Sequence, residues 1–278
     1  MNSDVEDPKT RQEHSAEEEK GQEPQKGYET ILEQQIVSGQ KELERPSGNL
    51  FLSGLSAGLD VSLSLLLMGV MRGLTEGALP HPVSEILVAN MYAAGFLFVV
   101  LGRSELFTEH TTLAVLPVLD KRASVAQLGR LWVLVYVSNL LGAAAFAGFL
   151  SFLGPRLGVV PSHVLGGIAS EVVGHPFWVI LLSGVLAGWL MGLLSWLVAA
   201  SRDTIGQIAI VWLVTFAIGF AHLHHAIVGS TEVLAGVFSG QGATLTDFAR
   251  FLGAATLGNI LGGAFFVALI KYGHIRQS

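Results

Sequence analysis

The sequence predicts an all-α membrane protein in which six transmembrane helices form two inverted three-helix repeats, with spans two and five broken at mid-membrane. Three observations lead to this fold class: an apolar composition, a series of long apolar runs, and a motif that recurs 120 residues later. Apolar residues make up 51% of the 278 positions and charged residues only 14%, whereas soluble domains carry about a quarter charged residues. The 33 glycines also fit helices that approach one another closely in lipid.

The N-terminal part differs from the rest of the chain. Residues 1–46 contain 12 acidic and 6 basic residues, so they carry the whole formal net charge of −6. We predict a disordered acidic tail at 1–27. An amphipathic cytoplasmic helix is predicted at 28–46, because the apolar residues there follow helical spacing and Pro46 stops the helix. This helix lies on the membrane surface, packs under the membrane domain or stays in solvent; the pattern leaves all three open.

Composition excludes several classes of function. The chain has no cysteine, so disulfides and thiolate metal sites are excluded. No basic cluster suggests nucleic-acid binding, and the first 30 residues lack the apolar core of a cleavable signal peptide. Neither a nucleophile with a neighbouring base nor a metal constellation is visible, so we expect neither an enzyme nor a cofactor.

Long apolar runs define a pore domain at 47–272, followed by a cytoplasmic C-terminus at 273–278. A helix needs about 20 apolar residues to cross a bilayer. Four runs meet this requirement, at 50–71, 131–153, 177–200 and 251–270. Two pairs of shorter runs are each separated by four residues, at 86–101 and 106–119 (GRSE) and at 207–221 and 226–238 (HLHH). Joining each pair gives six spans, of which the second and fifth are broken.

The chain repeats itself after 120 residues. The segment from Arg130 reads RLWVLVYVSNLLGAAAF and the segment from Arg250 reads RFLGAATLGNILGGAFF. Similar echoes join spans one and four (LSGLSAGL, LSGVLAGW) and spans two and five (GRSELF, GSTEVL), and the second echo pairs Glu105 with Glu232. A three-span unit crosses the membrane an odd number of times, so the second copy is inverted, as in many transporters.

Lysines and arginines near the span ends predict the orientation. Eight lie on the N-terminal side, namely Lys41, Arg45, Lys121, Arg122, Arg130, Arg202, Lys271 and Arg276. Three lie on the opposite side, namely Arg72, Arg156 and Arg250. This asymmetry places both termini in the cytoplasm.

Both breaks carry ionisable residues. The first contains Arg103, Glu105 and Glu109, and the second contains three histidines followed by Glu232. Ionisable groups at mid-membrane cost at least a few kcal/mol each and usually mark a pathway. For Glu105 and Glu232 we expect intramembrane polar support, through a pair between Arg103 and Glu105 or through bonds with backbone N–H groups of the unwound turns.

The histidines predict a functional site. A buried imidazole tends to be neutral, and it can lend a proton or a hydrogen bond to a passing anion. His222, His224 and His225 stand in one break. We do not expect a metal, because His224 and His225 point in different directions and His222 with His225 offers only two ligands on one face.

These segments resemble a known family. GRSELFTEHTT is similar to the ELFT break of the formate/nitrite transporter family, and SGLSAG resembles the start of its first span. The resemblance covers residues 28–272, and the long hydrophilic N-terminus resembles the divergent YfdC-like branch. It implies an aquaporin-like fold, a homopentamer in the bacterial inner membrane with one pore per subunit, and transport of small monovalent anions such as formate, nitrite or hydrosulfide, often with a proton.

The resemblance also implies site residues. The family's constriction positions match Leu106, Phe107, Thr108, Tyr92, Phe96 and Ile218. Its central histidine falls on His225 by an ungapped count from Arg202, and a GF-x-H match selects His222 instead. We prefer His225 because the following residues HAIVGS stay in register.

Some family residues are missing. The lysine before span four falls at Val172, beside Glu171, and two asparagines fall at Gly188 and Gly229. The missing lysine removes positive charge that would draw anions into the mouth, and an acid facing the mouth would oppose them. Arg103 has no counterpart; it restores positive charge near the pore or only pairs with the neighbouring acid.

The predicted function is therefore proton-linked transport of small monovalent anions past a central histidine. Two alternatives stay open. The first is a channel for small neutral solutes or gases, which the missing lysine favours. The second is a non-conducting membrane protein whose N-terminal tail recruits a partner.

Overall fold

The structure, a computed structural model, describes residues 26–276. The predicted acidic tail, apart from its last two residues, lies outside the described part, as do the last two residues of the chain. Over the described residues the chain is helical with no strand, which confirms the all-α class.

The first half contains α1 (Tyr28–Glu44), α2 (Ser47–Thr75), α3 (His81–Gly102), α4 (Phe107–Leu113), α5 (Leu116–Leu119) and α6 (Val125–Leu157). The second half contains α7 (Ser162–Val173), α8 (Phe177–Ala200), α9 (Thr204–Phe220), α10 (Ala226–Ser239), α11 (Leu245–Ile260), a π-helical segment (Leu261–Leu269) and α12 (Ile270–Arg276). Among the described residues, five helices are long and apolar enough to cross a membrane: α2, α3, α6, α8 and the continuous helix from α11 to α12. The apolar helices α9 and α10 are shorter, and the count of six spans depends on joining them.

Equivalent helices of the two halves begin in the same way. Ser124 precedes α6 and Thr244 precedes α11, and each hydroxyl accepts a hydrogen bond from the backbone N–H three residues later at 3.2 Å. The side chains of Gln127 and Asp247 bond back to the capping residue, which completes a capping box at both helices. The two helices therefore begin at positions exactly one repeat apart in the sequence.

Equivalent helices also pack in the same way. Helix α2 lies against α6, and α8 lies against α11. A Cβ atom at Gly58 would stand 2.3 Å from the carbonyl oxygen of Asn139, and one at Gly188 would stand 2.3 Å from that of Asn259. Only glycine permits this approach of two backbones. Gly188 thus has a packing role at the position where the family pattern has asparagine.

Helix α1 packs under the membrane domain. Its buried face includes Leu32 and Ile36. Gln35 donates from Nε2 to the carbonyl oxygen of Ser195 at 3.0 Å, and Lys26 donates from Nζ to that of Ala199 at 2.7 Å. The sequence left open whether this helix lies on the membrane surface, packs under the membrane domain or stays in solvent, and the structure shows that it packs under the membrane domain.

Helix α7, which was not predicted, is the counterpart of α1. Arg130 on α6 donates from Nη2 to the carbonyl oxygen of Arg45 at the end of α1, at 2.5 Å. Arg250 on α11 donates from Nη2 to the carbonyl oxygen of Val173 at the end of α7, at 2.7 Å. Each repeat therefore consists of one short helix followed by its spans, and the repeated arginine holds the end of the short helix.

Candidate functional site

Two buried asparagines hold the two breaks. In the first break, Asn139 donates from Nδ2 to the carbonyl oxygen of Glu105 at 2.9 Å and accepts on Oδ1 from the N–H that begins α4 at 2.8 Å. In the second, Asn259 donates to the carbonyl oxygen of His224 at 3.0 Å and accepts from the N–H that begins α10 at 2.8 Å. Each asparagine thereby satisfies one carbonyl group and one N–H group that its break leaves without a helical partner.

Two serines make equivalent hydrogen bonds in the two breaks, and they show which residues of the breaks correspond. The N–H of Glu105 donates to Oγ of Ser53 at 3.3 Å, and the N–H of His224 donates to Oγ of Ser183 at 3.1 Å. The structural equivalent of Glu105 is therefore His224, and the predicted pairing of Glu105 with Glu232 is wrong. Glu232 lies inside α10, two turns beyond the break, because the likeness of GRSELF to GSTEVL compares an unwound turn with a regular helix.

The residues that end α3 and α9 are also equivalent. Arg103 and His222 both adopt a left-handed backbone conformation, with φ of 56° and 50°, which stops a helix. Both side chains are exposed. Three residues further on, Leu106 and His225 occupy equivalent positions just before the next helix, and both are buried.

His225 joins the two breaks. Its Nδ1 atom accepts a hydrogen bond from the N–H of Val228 at 3.2 Å, so its side chain caps α10. Its Nε2 atom lies 2.7 Å from Oγ1 of Thr108 in α4. Because a backbone N–H only donates, Nδ1 carries no hydrogen, and the neutral ring donates from Nε2 to Thr108. The ring of Phe96 meets the imidazole edge-on at 5.1 Å between centroids.

Two cavities lie on either side of the contact between Thr108 and His225. The first, here named the His225 cavity, has a volume of about 390 Å³, and its lining includes Tyr92, Ile218, His222, His225 and Glu232. The second, the α1 cavity, has a volume of about 1010 Å³, and its lining includes Glu42, Val99, Arg103, Glu105 and His110. Helix α1 borders the second cavity and its counterpart α7 borders the first, so the two halves are inverted relative to each other.

A buried apolar layer separates the cavities. On α3, Tyr92 lines the His225 cavity, Phe96 is fully buried one turn later, and Val99 lines the α1 cavity. On α9, Ile218 lines the His225 cavity and Val214 is buried one turn below it. Sequence analysis did not identify Val99 and Val214 as members of this layer. Val99 follows the predicted Phe96 by three residues and Val214 precedes the predicted Ile218 by four, so helical spacing could have identified both.

The three residues of the predicted first constriction are all buried. Leu106, Phe107 and Thr108 line neither of the two cavities. The ring of Phe107 packs against the rings of Trp132 and Tyr136 on α6, with centroid distances of 6.0 and 4.7 Å. Of the three residues, Thr108 is the one that contacts His225.

The mouth of the His225 cavity holds a charged cluster that the sequence did not reveal. Arg72 on α2 binds Glu85 on α3 (Nη2 to Oε1, 2.9 Å) and Glu171 on α7. The Nε2 atom of His222 lies 3.4 Å from Oε2 of Glu85. Glu171 thus faces the mouth beside Val172, and its charge is offset by Arg72.

Phe251 explains one departure from the family pattern. A Cβ atom at Gly229 would stand 2.4 Å from the ring of Phe251, which is fully buried. Both residues border the His225 cavity. The phenyl ring therefore fills the space beside Gly229, where the resemblance places an asparagine.

In the α1 cavity, Glu105 has two partners. It binds Nη1 of Arg45 at 2.5 Å and Nε2 of His110. Among the described residues Arg103 forms no ion pair with Glu105, so the predicted pair is replaced by one with Arg45. Glu42 also binds Arg45, at 2.6 Å, and burial together with the charge of Glu105 raises the pKa of the Glu42 carboxyl.

Comparisons with known proteins identify the family of this chain. The model of the formate/nitrite transporter family matches residues 29–273. The inner membrane protein YfdC of Escherichia coli (strain K12) is 34% identical over 242 residues, which cover 86% of this chain and 76% of that protein. A probable formate transporter of Methanothermobacter thermautotrophicus is 31% identical over 253 residues, which cover 84% of this chain and 91% of that protein.

The fold is also that of a solved structure. A pentameric formate channel with formate bound superposes with a TM-score of 0.68 at 22% identity, and the match covers 84% of this chain and 98% of that channel. The family whose model matches is one of transporters rather than of enzymes, and the methanogen relative is named a probable formate transporter. Because the family model spans almost all of the described residues, the chain belongs to the formate/nitrite transporter family.

Proposed function

We propose that the protein passes small monovalent weak-acid anions, such as formate or nitrite, together with a proton. We place it in the bacterial inner membrane as a homopentamer with one pore in each subunit. The family, the formate channel and the inner-membrane relative support this proposal. Within the chain, the observation that carries it is the contact of Thr108 with His225, which stands between two cavities on opposite sides of the molecule.

The layer between the cavities favours a neutral permeant. Burying a charge without a partner is strongly unfavourable, so a bare anion does not cross the layer of Phe96 and Val214. The Nε2–H of His225 donates to Thr108, which leaves the hydrogen of the Thr108 hydroxyl available to an anion that enters the buried layer between the cavities. A hydrogen bond to a charged acceptor is stronger than one between neutral groups. The pair thus binds the anion while a proton converts it to the neutral acid that crosses.

The first test replaces His225 with asparagine. In His225→Asn the amide oxygen can still accept from the N–H of Val228 and cap α10, but no imidazole reaches Thr108. We expect formate-driven proton uptake into proteoliposomes to fall by roughly 100-fold, because nothing then orients the Thr108 hydroxyl toward the anion, while pentamer assembly stays intact. The matched control is His222→Asn, which changes an exposed histidine of the same break and should keep most of the flux. Wild-type uptake by His225→Asn would refute the role of this histidine.

A channel for small neutral solutes is the second candidate. The charges at the mouth favour it, because Glu85 and Glu171 offset the positive charge of Arg72. Water, ammonia and formate permeability measured in one liposome preparation separates the candidates. Ammonia flux without formate flux would replace the first proposal by the second, and the lack of any flux would favour a non-conducting membrane protein.

A further inference from the structure

Glu232 is a buried acid on the wall of the His225 cavity. It lies on α10, seven residues after His225, which stands just before that helix. Both line the cavity. The Glu232 side chain is only 6% exposed, and none of the described residues forms a hydrogen bond or an ion pair with its carboxyl group.

Glu105, a buried acid of the first break, shows what is missing at Glu232. Glu105 is held by Arg45 and His110, so its charge is balanced inside the protein. A buried carboxylate without such partners is strongly unfavourable. Glu232 therefore holds a proton for most of the time, or takes up a positive charge from the cavity.

His225 has no spare proton for a passing anion. Its Nδ1 atom is occupied by the N–H of Val228, and its Nε2–H is donated to Thr108. Protonation of Nδ1 would remove the cap of α10. His225 is therefore not the source of the proton that accompanies the anion, and the other acids that face the same cavity are the candidates.

The charged and titratable groups around Glu232 bind other partners or line other parts of the cavity, so they leave its carboxyl group available to a ligand. From α2 and α7 it is faced by Arg72 and Glu171, which bind each other, and from α3 by the phenol of Tyr92. On α11 the cavity is lined by the apolar ring of Phe251. The remaining titratable groups around the cavity are His81, Glu85, His175, His222 and His224. His224 is engaged through both ring nitrogens, with Ser183 and the carbonyl oxygen of Val172.

We propose that Glu232 is a proton-binding site of the pore and that it donates its proton to a weak-acid anion held in the His225 cavity. This inference rests on the proposed function. The O–H bond of the Glu232 carboxyl breaks and a new O–H bond forms on the anion, which leaves a carboxylate and a neutral acid. The carboxylate then takes a proton from the solution at the mouth of the cavity, so one proton crosses with each anion.

The test compares the pH dependence of Glu232→Gln with that of wild type. Glutamine keeps the size of the side chain and removes the exchangeable acid. We expect uptake of labelled formate and of protons at neutral pH to fall by about tenfold or more, and to approach wild type at about pH 5, where the solution itself supplies more formic acid. Glu232→Asp should restore part of the uptake. The control is Glu76→Gln, an exposed acid on the same side of the molecule that binds His163.

The outcomes distinguish the two proposals. If wild-type protein takes up no formate, the proposed function fails whatever the variants do. If wild type takes up formate and Glu232→Gln matches it over the whole pH range, the role of Glu232 fails alone.

A measurement on the wild-type pentamer covers the case in which Glu232→Gln does not assemble. A hydrophobic carbodiimide modifies protonated carboxyl groups in apolar surroundings. We expect mass spectrometry to find the modification on Glu232 at neutral pH, with parallel loss of formate uptake and with protection by formate. An unmodified Glu232 under conditions that modify other buried acids would overturn the proposal.

Discussion

Asn139 and Asn259 show why particular residue types are needed at the breaks. An unwound turn leaves both a carbonyl oxygen and an N–H group unpaired in apolar surroundings, where each unsatisfied group is costly. An asparagine amide supplies a donor and an acceptor at once, and both residues use both functions. Aspartate lacks the donor and leucine lacks both, so neither could replace them.

Replacing either asparagine should therefore destabilise its break. We expect Asn139→Leu and Asn259→Leu each to lower the free energy of unfolding by about 1–3 kcal/mol and to reduce formate flux, because the adjoining helix starts lose their position. Thermal denaturation in detergent and liposome flux measure the two effects. Ser138→Ala is the control, since among residues 26–276 Oγ of Ser138 bonds only to the carbonyl oxygen of Val135 in its own helix. Equal stability of all three variants would contradict the prediction.

The sequence indicated these residues without indicating what they do. The echo of 120 residues marked Asn139 with Asn259 and Arg130 with Arg250, but their partners lie on other elements, far away along the chain. The same method mispaired Glu105 with Glu232, because a six-letter likeness does not show where a helix unwinds. The ungapped count that preferred His225 over His222 selected the residue that the structure buries against Thr108.

At the scale of elements, α1 and α7 are the least expected correspondence. Helix α1 was visible because glutamate, glutamine and lysine alternate with its apolar residues, whereas α7 reads SHVLGGIASEVV and resembles part of a loop between spans. The last carbonyl groups of any helix lack partners within that helix. Arg130 and Arg250 supply those partners, and this common need explains why an arginine recurs at the start of α6 and α11.

Loss of either arginine should therefore destabilise the end of a different short helix. Arg130→Gln should accelerate amide hydrogen exchange at the end of α1, and Arg250→Gln should accelerate it at the end of α7, each with a loss of about 1–3 kcal/mol in the free energy of unfolding. Hydrogen exchange with mass spectrometry locates the effect, and each variant is the control for the other. Exchange that increases at both ends in either variant would contradict the assignment.

At the scale of the whole molecule, the fold follows from the sequence more readily than the charge distribution does. Apolar runs, breaks and repeats are local patterns, so they predict helices and their inverted arrangement. The cluster at the mouth of the His225 cavity is not local, because Arg72, Glu85 and Glu171 come from three different helices. Its balance of charge could be seen only after those helices had been assembled.

The orientation of the molecule decides on which side Glu232 takes up its proton. Eight cationic residues near span ends on the N-terminal side and three on the other predict that the α1 cavity faces the cytoplasm and the His225 cavity faces the periplasm. Because the chain has no cysteine, single introduced cysteines can report the side.

We expect a membrane-impermeant maleimide to label His163→Cys in intact cells, since this side chain on α7 is 63% exposed. It should label Lys41→Cys, on the exposed face of α1, only after the inner membrane is opened. The reverse pattern would place the Glu232 carboxyl on the cytoplasmic side. A proton donated there would then accompany anions out of the cell, and formate export rather than uptake would be the flux that Glu232→Gln weakens.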